Sequence, residues 1–263
     1  MCPILFQLNG LTVYAYGSIL ALGFMVGMIL ILLKARKEGV SLERVIELFC
    51  VVIVSALIGA RGLYVLLNLP VFWEDPSRIF KVWEGGLVFY GGFLVAVMAA
   101  IGYMRGYRLP LWKMADLFTP SIALGLFFAR IGCFMAGCCY GKETTLPWGV
   151  TFSDPLSLAR LHLPLHPTQL YEAGSGLALF FFLIWMEKRK SHDGQVFWLF
   201  ILLYSIIRFL IEFVRDDPRG FLPGNFLSTS QAIGFFLAIL AVFVLNYLKR
   251  DRRRLGRWRF WRF

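Results

Sequence analysis

The chain has 263 residues, 59% of them hydrophobic and 16% charged, with a formal net charge of +11. That apolar content excludes an ordinary soluble domain and places the chain among polytopic membrane proteins. The positive excess implies no nucleic-acid partner. Eight of the cations lie in the tail 249–263, KRDRRRLGRWRFWRF, a pattern that suits an anionic cytoplasmic leaflet or serves only to fix topology.

Seven runs are long enough to cross a hydrocarbon core of roughly 30 Å as helices: 14–33, 45–67, 86–104, 117–135, 170–186, 195–213 and 227–248. The fourth is interrupted by Arg130, Gly132 and Gly137, which leaves its outer end open. The expected class is an all-α integral membrane protein with seven transmembrane helices, organised as a single domain over 1–263. Lys and Arg in alternate connections number 4, 3, 3 and 8, against 0, 2, 2 and 2 in the others. The richer set is expected in the cytoplasm, so the N-terminus lies outside and the C-terminus inside. The first run is long, follows no basic segment and precedes positive charge, so it reads as a span rather than a cleaved signal peptide. Cys2 has no apolar stretch before it and does not read as a processed lipoprotein cysteine. Two connections are long. Residues 68–85 hold FWEDPSRIFKVWEGG, which reads as an interfacial segment. Residues 137–169 hold PWGVTF and several prolines and read as a folded outer cap of short strands or turns between the fourth and fifth spans. Chemistry is expected on that outer side.

Three arginines lie inside otherwise apolar stretches: Arg61 in VVIVSALIGARGLYVLL, Arg130 in SIALGLFFARIGCFMAG and Arg208 in WLFILLYSIIRFLIEFV. A charge within a span costs at least about 2.5–3.5 kcal/mol on insertion scales. A guanidinium offers five donors in a fork that fits phosphate or carboxylate, so the set points to a grip on an anionic group. Pairing with a carboxylate or with helix-end carbonyls is the structural alternative. In the sixth span Tyr204, Arg208, Glu212 and Arg215 fall at helical spacing, which predicts one shared face. Glu212 can hold either arginine. Gly132, Gly137 and Gly141 allow close backbone approach around Arg130, or act only in helix packing. Tyr90 precedes Gly91-Gly92 near the outer surface, as Tyr16 precedes Gly17; both tyrosines also suit an interfacial belt. HPTQLYE, 166–172, opens the fifth span, with His166 a possible base or a hydrogen-bonded structural residue. Cys133, Cys138 and Cys139 read as small packing residues, with a disulfide or a metal set as alternatives. CxxxxCC lacks the second half of a zinc site, although His162 and His166 follow. No cofactor and no metal are expected.

In order, YGSILALGF, GARGLYV, EGGLVFYGGFL, ARIGCFMAGCCYG, HPTQLYE and YSIIRFLIEFVRDDP resemble the prolipoprotein diacylglyceryl transferase family over about 16–218. The resemblance implies transfer of a diacylglyceryl group from phosphatidylglycerol to the lipobox cysteine thiol of a secreted prolipoprotein. A thioether forms and glycerol phosphate leaves. It also implies a bacterial cytoplasmic membrane location, with the active site facing the periplasm or outer leaflet and membrane lipids as surroundings. Arg130 matches the family's lipid-binding arginine, and Arg208 its essential arginine, with Tyr204, Glu212 and Arg215 on the matching helix. Tyr16 matches the first-span tyrosine, and His166, Gln169, Tyr171 and Glu172 the HPSQLYE-type box. Arg61, Gly91, Gly92, Gly132, Gly137 and Gly141 complete the expected substrate-binding set.

Three positions depart from the family's pattern: Tyr90 where a histidine precedes Gly-Gly, Cys133 where the RIG signature carries asparagine, and Cys138 where an acidic residue follows Gly137. Thiolate attack on the glycerol C3 carbon expels a phosphate ester, so Arg130 and Arg208 are expected to stabilise charge on the departing oxygens. An unperturbed thiol titrates near 8.5, and cationic surroundings favour the thiolate. Arginine-assisted thiolate formation is therefore expected to carry activation, with His166 or Tyr90 as a relay. The rival readings are a related transferase with another lipid or acceptor, a non-catalytic phospholipid-binding or export protein, and a thiol-redox protein using Cys138 and Cys139.

Overall fold

Helix signals and apolar runs coincide along most of the chain. In the computed structural model, which describes residues 3–8, 11–82, 85–216 and 228–259, seven helices are long and apolar enough to cross a membrane. Cys2 and the side chains of 251–263 lie outside the described residues. A hairpin comes first, β1 (Ile4–Leu8) paired antiparallel with β2 (Leu11–Tyr14). The apolar runs then give α1 (Ala15–Lys37), α2 (Leu42–Leu67), α4 (Phe89–Gly106) and α5 (Leu111–Ala136). After the cap come α6 (Thr168–Glu187), α7 (Gln195–Ile211) and α8 (Thr229–Arg259). Between α2 and α4 lie the short α3 (Leu69–Glu74) and a 3-10 turn, Pro76–Phe80.

Two compact units make up the chain: Met1–Leu30 with Ala115–Phe263, and Ile31–Met114. In the second, α2 starts where the Ser41 hydroxyl accepts from the Arg44 amide at 3.5 Å, an N-cap that satisfies one of the helix's orphan donors. α2 and α4 meet through small residues. A Cβ on Gly59 would lie 2.5 Å from the Gly91 carbonyl oxygen, and one on Gly92 would lie 2.8 Å from that of Ala56. Such close backbone approach is how helices associate where lipid supplies no hydrophobic drive.

In the first unit, α5 carries Pro120 in its interior yet continues. The Thr119 hydroxyl donates to the Ala115 carbonyl at 2.6 Å, one residue before the Asp116 carbonyl that the missing proline N–H would have served. Its end is set further on. The Cys138 amide donates to the Cys133 carbonyl at 3.1 Å, the Gly137 amide to Phe134 at 3.3 Å, and Gly137 has φ +74°. This is a full Schellman closure, with glycine at the one left-handed position. Arg130 and Gly132 therefore do not cut the fourth span; the helix runs unbroken to Ala136 and stops at Gly137. α5, α6 and α7 share a core of Ala123, Leu179, Leu183, Val196 and Phe200. The buried Asp116 carboxylate caps α7 from a distance, accepting from the Gly194 and Phe197 amides at 2.9 and 3.0 Å.

The cap between α5 and α6 is folded. β3 (Val150–Thr151) pairs antiparallel with β4 (Pro164–Leu165), over a small core of Phe152, Ala159 and Leu165. Outward, the long helices present apolar side chains such as Met25, Ile29, Ile58, Phe181, Leu210 and Phe243. These faces suit lipid.

Candidate active site

The cap holds the ends of three segments together. The Gly141 amide donates to the His166 carbonyl at 3.0 Å, and the Lys142 amide to Val214 at 2.8 Å, while Gly141 bridges to Arg215. A Cβ on Gly141 would lie 2.6 Å from both the His166 Cβ and the Val214 oxygen, so only glycine fits there. From α6, Thr168 Oγ1 donates to the Cys139 carbonyl at 2.7 Å and Gln169 Nε2 to Cys138 at 2.8 Å. The first turns of α6 are consequently buried, and Glu172 with them.

Glu172 is the hub. Its Oε2 stands 2.6 Å from Arg130 Nε on α5, and its Oε1 accepts from Arg215 Nη1. One buried carboxylate thus serves two guanidiniums, leaving the trio with one positive charge in excess. Arg130 also interacts electrostatically with Tyr204, Cys133 and Cys139, and Tyr16 with Arg130, Cys133, Cys138 and Cys139. Tyr16 packs on the glycine of the RIG signature, where a Cβ on Gly132 would meet its Cδ2 at 3.1 Å. The fold therefore gathers Tyr16, Arg130, Gly132, Glu172, Tyr204 and Arg215 from four helices and the segment after α7.

Arg208 follows one turn after Tyr204 and is buried. Its Nη1 lies 2.5 Å from Glu212 Oε2, but at an angle that makes no hydrogen bond. Nη1 and Nη2 are both buried without a hydrogen-bond partner among the described residues. Glu212 is held from its other side by the Ser228 hydroxyl at 2.7 Å. Buried donors left in this state cost free energy unless a ligand supplies acceptors.

Arg215 is not on the helical face that its spacing predicts. α7 tightens to a 3-10 turn over Glu212–Val214, and Arg215 leaves it in extended backbone, φ −89° and ψ 149°. Its bridge to Gly141 redirects the side chain to Glu172, so among the described residues Glu212 pairs with Arg208. Tyr204, Arg208 and Glu212 keep the predicted one-face relation.

His166 is half-buried, its Nδ1 3.2 Å from the Tyr171 hydroxyl, which also accepts from Trp148 Nε1 at 2.8 Å. The thiols beyond α5 form a set of their own. Cys139 is pulled well below the ordinary thiol range, first by hydrogen bonds from Cys133 and Cys138 and then by the positive charges of Arg215 and Arg130. Cys138 is pushed far up by its bonds to Cys133 and Cys139 and by burial.

Arg61, Tyr90, Gly91 and Gly92 belong to the other unit. Arg61 spends its donors on backbone. Nε donates to the Ile79 carbonyl at 3.0 Å, Nη1 to Gly85 at 2.7 Å and Gly86 at 3.2 Å, and Nη2 to Arg78 and to Lys81 at 3.3 Å. The rings of Phe72 and Tyr64 flank it at 5.4 and 5.5 Å. This arginine organises the segment between α3 and α4. Gly91 and Gly92 face α2, while Tyr90 is exposed with its ring against Phe89. Sequence reasoning missed the parts played by Ser228 and Trp148; a signal existed for Ser228, which forms a Ser-x-x-Gln capping box with Gln231 at 3.0 and 3.1 Å.

These features define a multi-pass membrane protein whose first unit buries a guanidinium–carboxylate cluster with donors to spare. The family model described as prolipoprotein diacylglyceryl transferase matches residues 3–247, and the chain belongs to that family. A phosphatidylglycerol–prolipoprotein diacylglyceryl transferase of Clostridium tetani is 38% identical over 94% of this chain and 97% of its own length. An enzyme of the same name from Geobacter sulfurreducens is 33% identical over 97% of both chains. The transferase numbered 2 of Clostridium perfringens is 33% identical over 95% of this chain and 97% of its own.

Proposed function

We propose that this chain transfers the diacylglyceryl group of phosphatidylglycerol to the lipobox cysteine of a prolipoprotein, the whole chain acting as one transferase domain. The acceptor thiolate attacks the glycerol C3 carbon, a C–S bond forms and the C3–O bond to phosphate breaks. Glycerol phosphate leaves with the electron pair, and the thiol proton passes to solvent. The observation that carries this reading is Arg208, a buried guanidinium with Nη1 beside the Glu212 carboxylate and Nη2 without a hydrogen-bond acceptor among the described residues. A phosphodiester supplies such acceptors, and its charge grows as the ester bond breaks, so donors fixed there act more strongly in the transition state than in the ground state.

Arg130 binds the same headgroup. Glu172 orients it and limits the cost of burying it, with Arg215 as the second strut of that carboxylate. Glu212 does the same for Arg208, and Tyr204 and Tyr16 border the headgroup. His166, held by Tyr171, positions the cap against α6, and Gly132, Gly137, Gly141 and Gln169 shape the backbone around Arg130. The excess positive charge favours the acceptor thiolate, so activation does not require a strict general base at Tyr90. Arg61, Gly91 and Gly92 hold the second unit in shape. The charge asymmetry of the connections supports a bacterial cytoplasmic membrane protein with the N-terminus and this site toward the outer leaflet.

The test is incubation of purified protein with phosphatidylglycerol vesicles and a lipobox peptide. A peptide heavier by one diacylglyceryl group, with equimolar release of glycerol phosphate, is expected. Tight lipid binding with neither product would overturn the reading.

A further inference from the structure

Cys133, Cys138 and Cys139 take no part in the transfer step, and the sequence alone predicts them as packing residues. The fold does more with them: their three Sγ atoms lie within 4.8 Å of one another. Two backbone features bring this about. The Schellman closure sets Cys138 against Cys133, the two positions where such a turn ordinarily joins apolar side chains. Cys139 then adopts a left-handed backbone, φ +63°, which residues with a Cβ seldom take and which often marks a functional constraint. The turn is braced from α6, because Thr168 and Gln169, both buried, donate to the Cys139 and Cys138 carbonyls at 2.7 and 2.8 Å.

We propose that Cys133, Cys138 and Cys139 form a tri-thiolate site for a soft divalent cation of the zinc class. Sulfurs bound to one zinc ion at about 2.3 Å in tetrahedral geometry stand about 3.8 Å apart. The observed cluster, with its sulfurs within 4.8 Å of one another, lies within about 1 Å of that spacing. Charge complementarity selects the cation. Arg130, Glu172 and Arg215 together carry one excess positive charge, and Arg208 with Glu212 carries none. Three thiolates around a divalent ion carry one negative charge, which balances that excess; a monovalent soft ion would leave a surplus negative charge. Hard cations such as magnesium and calcium are excluded by the sulfur ligands. Three protein ligands leave a fourth tetrahedral position open to water or a small ligand. Such a site ties the last turn of α5, three residues beyond Arg130, to the start of the cap.

The experiment uses the full chain in detergent, reduced and freed of metal by chelation. Titration with cadmium alone is expected to raise a sulfur-to-cadmium charge-transfer band that saturates at one ion per chain and is displaced by zinc. C138S and C139S are each expected to lose the band or to bind at least about tenfold more weakly. A second measurement avoids variants altogether. Alkylation of the intact chain with and without zinc, mapped by peptide mass, should show protection at Cys133, Cys138 and Cys139 together, while labelling of Cys50 on α2 is unchanged by zinc. A folded chain with no saturable band, a band unchanged in both variants, or protection that omits these three positions would overturn the site.

Discussion

Replacing Arg208 by glutamine separates a structural lock from a catalytic grip. In the wild type Arg208 Nη1 lies 2.5 Å from Glu212 Oε2, both side chains are buried, and Ser228 supports the other carboxylate oxygen at 2.7 Å. R208Q leaves the Glu212 charge without its arginine, and breaking a buried pair this way costs about 3–5 kcal/mol. At roughly 2–4 °C per kcal/mol for a chain of this size, the melting temperature should fall by roughly 6–20 °C. The double variant R208Q/E212Q buries no charge at this position and should regain most of that loss. Its rate should not recover. A donor aimed at developing phosphate charge is worth about 10²–10³ in kcat, and both variants lack it. The assay pairs thermal unfolding in detergent with mass-spectrometric initial rates on a lipobox peptide. A double variant restored in stability and within tenfold of wild-type rate would refute the reasoning, because Arg208 would then be only half of an internal lock.

Y90F removes a phenol that is exposed and lies in the other unit. Its rate on the lipobox peptide should stay within about tenfold of wild type, whereas loss of a true general base costs about 10²–10⁴. Near-complete loss of turnover with normal lipid binding would remove arginine-assisted thiolate formation. G137A places a Cβ against the Ser157 hydroxyl at a left-handed φ of +74°. It should cost about 1–2 kcal/mol or more, visible as a lower melting temperature. R61M deprives the carbonyls of residues 78, 79, 81, 85 and 86 of their donor, at a cost of at least about 3 kcal/mol. Trypsin should then cut faster after Arg78 and Lys81, with KM for phosphatidylglycerol unchanged. A raised KM at unaltered stability would instead make Arg61 a lipid ligand.

Much of the architecture was readable because apolar run length alone reports a membrane span. All seven helices fall on the runs that length identified; most ends shift by four residues or fewer, while α5 begins six residues before its run and α8 continues eleven residues past its run. The amino-terminal hairpin was missed, although apolar runs flank an Asn-Gly pair at 9–10, a strong hairpin signal. The pairing of Arg208 with Glu212 was legible as well, since four residues along a helix is a local relation. The role of Arg61 was not. Its five acceptors come from a segment 17 to 25 residues away, and nothing in the spacing distinguishes a guanidinium held by carbonyls from one awaiting phosphate.

Composition, run length and helical spacing determined that this is a seven-span membrane protein with cations placed inside its spans. They could do so because insertion energy and helix periodicity act over neighbouring residues. Which cation is consumed and which is left with open donors was decided by tertiary structure. The 3-10 turn after α7, the bridge from Gly141 to Arg215 and the burial of Glu172 are all pairings between distant segments. Only the folded chain brings those segments within reach, and there one carboxylate, Glu172, is shared by two guanidiniums while Glu212 faces Arg208.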